Sequence, residues 1–558
     1  MKQKSTNWLK VLRVILAIVV FTPILLVFID FTHRLPVGIA RLLDWQLMPA
    51  ILGVEIFTII LLLLLTLLFG RIYCSVICPA GILQDIFNRI SCIGKKKKNG
   101  KMRFHYHKPA NWLRYSILGI TAILALFGFT ELCLLLDPYS NFGRISANLF
   151  RPALIWSNNE IADILSSKGN YFLYIVSIKI PIAALISAIT AFVVFAVMVY
   201  FRGRWFCNTI CPVGAILSIV SRYSVFRIFI DKRACNSCKS CERSCKAEAI
   251  DAANMNVDTS RCVTCFNCTS SCTKSAIKYR FAPFALTKGS NTDVYTSLKV
   301  SESEKSNVDT SKLEISKSET LINDVFDRKV SDVEDSKYNV SESRRSFIAT
   351  SAALAGTVPL FALAQNNNDA SGNKKIPVAP PGALSIERFK DLCTGCHLCV
   401  VQCPTQILKP AGLQYGFGYM LKPYMSFNNK YCNYSCIVCS QVCPSDAIKP
   451  ISVEEKKVTQ VGIAEFYLDL CVVKTDENDC GACSEHCSTQ AVHMVPYKGT
   501  LTIPKIEPDL CIGCGGCESI CPVRPERAIV IIPNAVHRTI EMPKEEEIKK
   551  VDVDDFGF

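Results

Sequence analysis

Four apolar runs stand out from an otherwise mixed chain, at roughly 11–29, 48–69, 113–136 and 177–200. Crossing the hydrocarbon of a bilayer takes about 20 helical residues, so each run predicts a membrane span. Polar positions around them set an orientation. Lys2, Lys4 and Lys10 precede the first span, and Arg71, Arg89, Lys95–Lys98, Lys101, Arg103 and Lys108 lie between the second and third. Arg202, Arg204, Arg222, Arg227, Lys232 and Arg233 follow the fourth, whereas loops 30–47 and 137–176 carry few basic residues. Basic loops stay inside, which places the N-terminus, loop 70–112 and the residues after 201 in the cytoplasm of a bacterial inner membrane. From about 285 to 342 the chain turns to Ser, Asp, Glu, Lys and Asn without periodicity, the pattern of a disordered linker.

The spans carry an internal repeat. GRIYCSVICPAGILQDIFNRIS begins at Gly70 and GRWFCNTICPVGAILSIVSRYS at Gly203, each after a pair of spans. Cys74, Cys78, Cys207 and Cys211 therefore occupy equivalent places in a CxxxCP signature at the cytoplasmic exit, and could be metal ligands or redox thiols. Cys92 and Cys133 read as small buried residues. No span contains histidine, so a b-type haem held by two transmembrane histidines is not expected. Arg13, Glu55, Glu131 and Lys179 are charges within or bordering the spans. Arg13, Glu131 and Lys179 sit near ends, where long side chains can snorkel. Glu55, with His33 and Asp44 of the outer loop, forms a candidate set of proton acceptors for a quinol.

Composition narrows the chemistry. Half of the 558 residues are hydrophobic, and the mean hydropathy is +0.26. Thirty cysteines in so long a membrane chain do not describe a small disulfide-stapled secreted domain. The net charge of +14 belongs mostly to the orientation-setting loops, which removes the case for nucleic acid. Twenty-four of the cysteines fall into six sets of four. Cys235, Cys238, Cys241 and Cys245 precede Cys262, Cys265, Cys268 and Cys272, both in CxxCxxCxxxC spacing. In two-cluster ferredoxins the fourth cysteine of each set ligates the other cluster, which predicts Cys235, Cys238, Cys241 with Cys272, and Cys262, Cys265, Cys268 with Cys245. The remaining sets are Cys393/Cys396/Cys399/Cys403, Cys432/Cys436/Cys439/Cys443, Cys471/Cys480/Cys483/Cys487 and Cys511/Cys514/Cys517/Cys521. Cys393-x2-Cys396-His397 also matches the covalent haem c rule, but it stands in ferredoxin register with Cys399 and Cys403, so no haem is expected. Between the inner and outer sets, Arg344-Arg345-Ser346-Phe347 and a weakly apolar run ending at Ala364 have the form of a twin-arginine export signal.

The organisation expected is multidomain. A four-span α-helical membrane bundle occupies 1–230, a cytoplasmic α+β ferredoxin-like 4Fe–4S domain 231–284, the linker 285–342, a signal or anchor helix 343–364, and a periplasmic four-cluster ferredoxin-like domain 365–558. On these motifs the first 280 positions resemble the NapH family, membrane ferredoxin subunits of periplasmic nitrate-reductase systems. Residues 343–530 resemble the NapG family, twin-arginine-exported proteins with four 4Fe–4S clusters. The departure is that both lie in one polypeptide. The resemblance implies a quinol dehydrogenase that draws on the membrane quinol pool and passes electrons to a periplasmic c-type cytochrome or terminal reductase, after export of its outer part by the twin-arginine translocase. It implies six 4Fe–4S clusters with quinol as substrate and, with no flavin domain ahead of the first span, no flavin. In families with four such sets the outer pair and the inner pair usually ligate together. That would join Cys393, Cys396 and Cys399 with Cys521, and Cys511, Cys514 and Cys517 with Cys403. It would also join Cys432, Cys436 and Cys439 with Cys487, and Cys471, Cys480 and Cys483 with Cys443. Sequential pairing is the alternative. A maturation factor using the CxxxCP thiols and a relay fed by a cytoplasmic ferredoxin are the competing functions.

Overall fold

From Trp8 to Ser221 the described residues are mostly helical, in a computed structural model that describes residues 8–99, 104–177, 180–281 and 376–541. In chain order these helices are α1 (Trp8–Ile29), α2 (Leu47–Leu52), α3 (Ile56–Phe69), α4 (Tyr73–Val76), α5 (Pro79–Asn99), α6 (Asn111–Leu126), α7 (Glu131–Leu136), α8 (Pro138–Ile145), α9 (Arg151–Ser166), α10 (Ile182–Arg202), α11 (Trp205–Thr209) and α12 (Pro212–Ser221). Only α1 and α10, of 22 and 21 residues, are long and apolar enough to cross a membrane among the described residues.

The other two expected spans are interrupted. The run 48–69 breaks into α2 and α3 at Gly53–Glu55, where Val54 holds a positive φ of 57°, a strained conformation for a β-branched residue. The run 113–136 breaks after Leu126, where Gly128 takes a φ of 81°. Apolar composition persists across both breaks, so hydropathy alone reads straight through them.

The segment 137–150, expected as an outer loop, is instead buried. Asp137 caps α8 through Ser140 N at 2.7 Å, with Pro138 in the first helical position. Every residue of α8 is buried, against α5 and α10 and under Phe28 of α1, whose ring meets Phe142 edge-on at 5.8 Å. Its polar side chains satisfy one another: Arg144 donates to Leu134 O at 2.7 Å and Asn141 Oδ1 at 3.0 Å, and Asn148 donates to Arg144 O at 2.9 Å. Those residues make the segment look solvent-facing in sequence.

The inner module follows as β1 (Phe226–Ile230) paired with β4 (Ile277–Phe281), and β2 (Ile250–Asp251) paired antiparallel with β3 (Asn256–Val257). The outer module contains the antiparallel pairs β5 (Leu408–Pro410) with β6 (Pro423–Met425), β7 (Thr459–Phe466) with β10 (Ile529–Thr539), and β8 (Val492–Lys498) with β9 (Leu501–Ile506). The described helices and both modules belong to one compact unit.

The two modules pack at opposite ends of the helices. Lys10 Nζ at the start of α1 donates to Ser270 of the inner module at 3.1 Å, and Val27 O near its end accepts from Gln402 of the outer module at 2.6 Å. Seventeen residues of helix separate those contacts, about 26 Å at 1.5 Å per residue. The Cys92 side chain, Lys179, and the segments 285–342 and 343–364 lie outside the described residues.

Candidate metal centres

Ferredoxin-type loops wrap back on themselves through a left-handed residue placed directly after the second cysteine. Lys239, Phe266, His397 and Gly515 hold that position with φ of 56°, 58°, 63° and 79°, and each opens a five-residue helix that carries the third cysteine. His397 of the CxxCH match is thus a turn residue. Its buried ring is fully engaged, Nδ1 accepting from Asn148 Nδ2 at 3.0 Å and Nε2 facing Leu421 O at 3.0 Å. Burial, helped by Arg144, lowers its pKa to about 3.

In the inner module, one cavity is lined by Cys235, Cys238, Cys241 and Cys272. Cys262, Cys265 and Cys268 gather around Cys245. The crossed arrangement read from the spacing is the one the fold makes. In the outer module the expected outer–inner pairing is not. Cys393, Cys396 and Cys399 meet Cys443 rather than Cys521. Cys432, Cys436 and Cys439 line a cavity with Cys403 rather than Cys487. Cys471, Cys480 and Cys483 meet Cys521 rather than Cys443, and Cys511, Cys514 and Cys517 meet Cys487 rather than Cys403. The reason is local: the β5–β6 pair folds the second set back onto the first, so neighbouring sets exchange fourth cysteines.

Backbone N–H groups point at several of these sulfurs: Ala249 at Cys245 (3.4 Å), Ala276 at Cys272 (3.3 Å), Ile448 at Cys443 (3.4 Å) and Ala491 at Cys487 (3.1 Å). Burial pushes free thiols here upward, Cys393 and Cys483 to about 12 and Cys245 to about 11. Such thiols ionise only where a metal's charge displaces the proton. Four cysteines at each site, with backbone N–H groups directed at the sulfurs, fit a cubane, whose thiolates accept such bonds.

The quartets form a line. The first outer one neighbours the second through Cys399 and Cys439, the second meets the fourth where Cys432 N donates to Cys514 O at 2.9 Å, and the fourth meets the third through Cys517 and Cys483. The first lies on the helical domain. Cys396 O would sit 2.5 Å from any Cβ added at Gly143, so only glycine permits this approach of α8.

Known proteins fit this picture. A family described as "4Fe-4S dicluster domain" matches residues 392–447 and 478–524, and one described as "4Fe-4S binding domain" matches 52–101 and 184–233. The methylamine utilization ferredoxin-type protein MauM of Methylobacillus flagellatus is 31% identical over 160 residues, 28% of this chain and 67% of the relative. The ferredoxin-type protein NapG of Escherichia coli K12 is 29% identical over 205 residues, 34% of this chain and 83% of the relative. The ferredoxin-type protein NapF of the same strain is 26% identical over 146 residues, covering 26% and 80%. The chain belongs to the ferredoxin-type protein family of MauM and NapG. It is an iron–sulfur protein of the electron-transfer class, with ferredoxin 4Fe–4S domains. No solved structure matches it.

In this ferredoxin-type chain the candidate quinol residues divide. Asp44 and Glu55 come together at the α2–α3 break and share the site with Asp446 of the outer module. Burial, then Glu55 and Asp446, raise Asp44 to about 7. Asp446 was not foreseen, and only its place after Cys443 could have drawn notice. His33 belongs elsewhere, beside Asp30, Arg151 and Gln402. Two charges expected to snorkel are paired instead. Arg13 meets Asp85 at 2.5 Å, and Glu131 meets the buried Lys422 at 3.1 Å.

The CxxxCP cysteines are not at an exit from the bundle. Gly70 and Gly203 adopt φ of 75° and 59°, turning the chain back inward. Tyr73 then reaches Leu47 N at 3.2 Å and Gln46 Oε1 at 3.0 Å, and Cys74, Cys78, Cys207 and Cys211 join the core. Cys133, as expected, is buried and small, donating to Thr121 O at 3.4 Å.

Proposed function

We propose that the chain is a membrane-bound quinol dehydrogenase whose six 4Fe–4S clusters pass electrons to a periplasmic c-type cytochrome or terminal reductase. The observation that carries this reading is the placement of two cysteine modules at opposite ends of α1. The basic loops lie at the inner module's end and the poorly charged loops at the other, which supports a cytoplasmic inner module and an outer module exported through the 343–364 signal.

A quinol gives up two electrons and two protons, whereas each cluster takes one electron. Asp44, raised to about 7, can accept a proton near neutrality, with Glu55 beside it. Asp446 is three residues from Cys443 of the first outer quartet, so proton acceptors and an electron acceptor adjoin. The clusters supply one-electron redox chemistry. The protein fixes their order and directs N–H donors at the thiolates.

Protein in lipid tests this. A reduced menaquinone analogue should reduce the 4Fe–4S signals, and reduction by a cytoplasmic ferredoxin alone would contradict it. A reporter fused at residue 300 should be cytoplasmic, and one at 540 periplasmic.

A further inference from the structure

We propose that Cys74, Cys78, Cys207 and Cys211 together hold an iron–sulfur cluster that joins the inner and outer modules. The proposal rests on the electron-transfer reading above. It goes beyond the family match, because each repeat supplies only two motif cysteines and a four-thiolate site needs both.

Each of the four is 3% exposed, none is in a disulfide, and every pair among them lies within electrostatic reach. The two repeats clasp each other around them. Arg71 of the first donates to Cys207 O of the second at 3.0 Å, and Arg204 of the second donates to Cys74 O of the first at 2.6 Å. A Cβ at Gly81 or Gly214 would meet the carbonyl of Cys74 or Cys207 at 2.2 or 2.1 Å, so both glycines keep the cysteine turns closed.

The surroundings call for negative charge. Arg71 is fully buried, its Nε has no partner, and its hydrogen bonds go to Asn208 Oδ1, Ser260 O, Cys207 O and, at 3.7 Å, Cys74 Sγ. No carboxylate pairs with it among the described ion pairs, and a buried unpaired guanidinium is costly. Cys211 caps α12 and accepts from Gly214 N at 3.2 Å, and Cys78 stands in the same place before α5. Both helix N-termini favour thiolates. Gln84 presents Oε1 to Cys207 Sγ while its Nε2 lacks a partner, and turning the amide would aim that donor at a thiolate. Dithiol exchange with another protein needs an attacking thiolate to reach the sulfur, which this burial forbids. Electrons need no such access.

The position completes the case. Arg71 reaches Ser260 and Cys262 of the inner module. On the other side Cys78 neighbours Asp137, which neighbours Tyr139, and the Tyr139 hydroxyl, without a well-formed hydrogen bond, faces Cys396. The cluster would be reduced by one electron as the neighbouring cluster is oxidised by one, with no proton or bond exchanged.

The full-length chain, wild type and Cys78→Ser/Cys211→Ser, should be compared for iron and acid-labile sulfide. One cluster's share of both should disappear in the variant while the ferredoxin-type spectroscopic signals remain. In vesicles, a reductant confined to one side should reduce both modules of the wild type and only the nearer one in the variant. Equal iron and sulfide in both proteins, or zinc lost in place of iron, would overturn the proposal. If the variant does not fold, the wild-type content decides: iron and sulfide beyond six quartets support it, and a total that stops at six overturns it. Metal content does not depend on the donor, so failure of the quinol reading is separately visible.

Discussion

The helical domain meets its two ferredoxin modules by different physics. At the inner joint a single carboxylate, Asp85, is ringed by Arg13, Arg204 and Lys246 at 2.5–2.8 Å. A backbone bond from Arg204 N to Lys246 O at 2.9 Å and a side-chain bond from Asn208 Nδ2 to Ala247 O at 3.0 Å reinforce it. At the outer joint one buried ion pair, Lys422–Glu131, is joined by neutral contacts: Asn148 with His397, Gln402 with Val27. The inner module follows α12 directly in the chain, so its joint can form as the chain folds. On the proposed topology the outer module arrives already folded and must dock, and a surface with few buried charges carries a smaller desolvation cost to hide.

The contrast breaks most sharply at Asp85. Asp85→Asn leaves the buried Arg204 and Lys246 and the partly buried Arg13 without their anion, and losing one partner of a buried ion pair costs about 3–5 kcal/mol. Thermal unfolding in detergent should show the largest loss here, with the inner module released first. Burial would raise the Asp85 carboxyl, but Arg204, Lys246 and Arg13 together hold it well below the ordinary carboxylate range. Its stabilisation is therefore complete above the unfolded pKa of about 4 and is lost only as pH falls through the depressed value. The inner joint should survive at pH 5.

Lys422→Met tests the outer joint. It strands Glu131, 4% exposed, without its cation, and removes bonds to Thr130 Oγ1 at 3.3 Å and Gly418 O at 2.9 Å. A loss of up to about 3–5 kcal/mol is expected, confined to the outer joint. Hydrogen exchange should show opening around 131–148 and 396–422 while 240–272 stays protected. Equal opening at both ends would mean that the joints are not independent.

His397 makes the two joints differ in acid. Its folded pKa of about 3 lies below the usual 6.5, so below 6.5 the unfolded chain takes a proton that the native ring refuses. Stability at the outer joint should fall by about 1.4 kcal/mol per pH unit as pH drops from 6.5 toward 3. His397→Asn should flatten that limb, leaving the inner joint unchanged.

The two ends were also unequally legible in sequence. Inner ligation follows from CxxCxxCxxxC because both fourth cysteines lie within one short module. Outer pairing depends on which sets fold against each other, and that is decided by the β5–β6 pair rather than by spacing. Hydropathy located α1 and α10 but ran through the Gly53–Glu55 and Phe127–Thr130 breaks, because apolar residues continue across both. The repeat exposed Cys74, Cys78, Cys207 and Cys211, whereas the exchange of Arg71 and Arg204 between repeats exists only in three dimensions. Asp85 is the one acid in sequence between Arg71 and Lys108, and its ring of Arg13, Arg204 and Lys246 exists only in the fold.

The smallest expected effect on stability belongs to Asp44, yet it bears most directly on which end receives the quinol. Its pKa of about 7 means that the fraction able to accept a proton rises through neutrality. Quinol-dependent reduction of the outer quartets should rise with pH through about 7, and Asp44→Asn should abolish that limb and slow the rate by about 10²-fold, the lower range for one acid–base group. The folded pKa lies above the usual 3.8, so protonation stabilises the native form and this contribution fades as pH climbs from 3.8 through 7. Activity and stability at this site therefore run in opposite directions with pH. A variant that shifted both together would place Asp44 in structure alone and move quinol chemistry away from the outer joint.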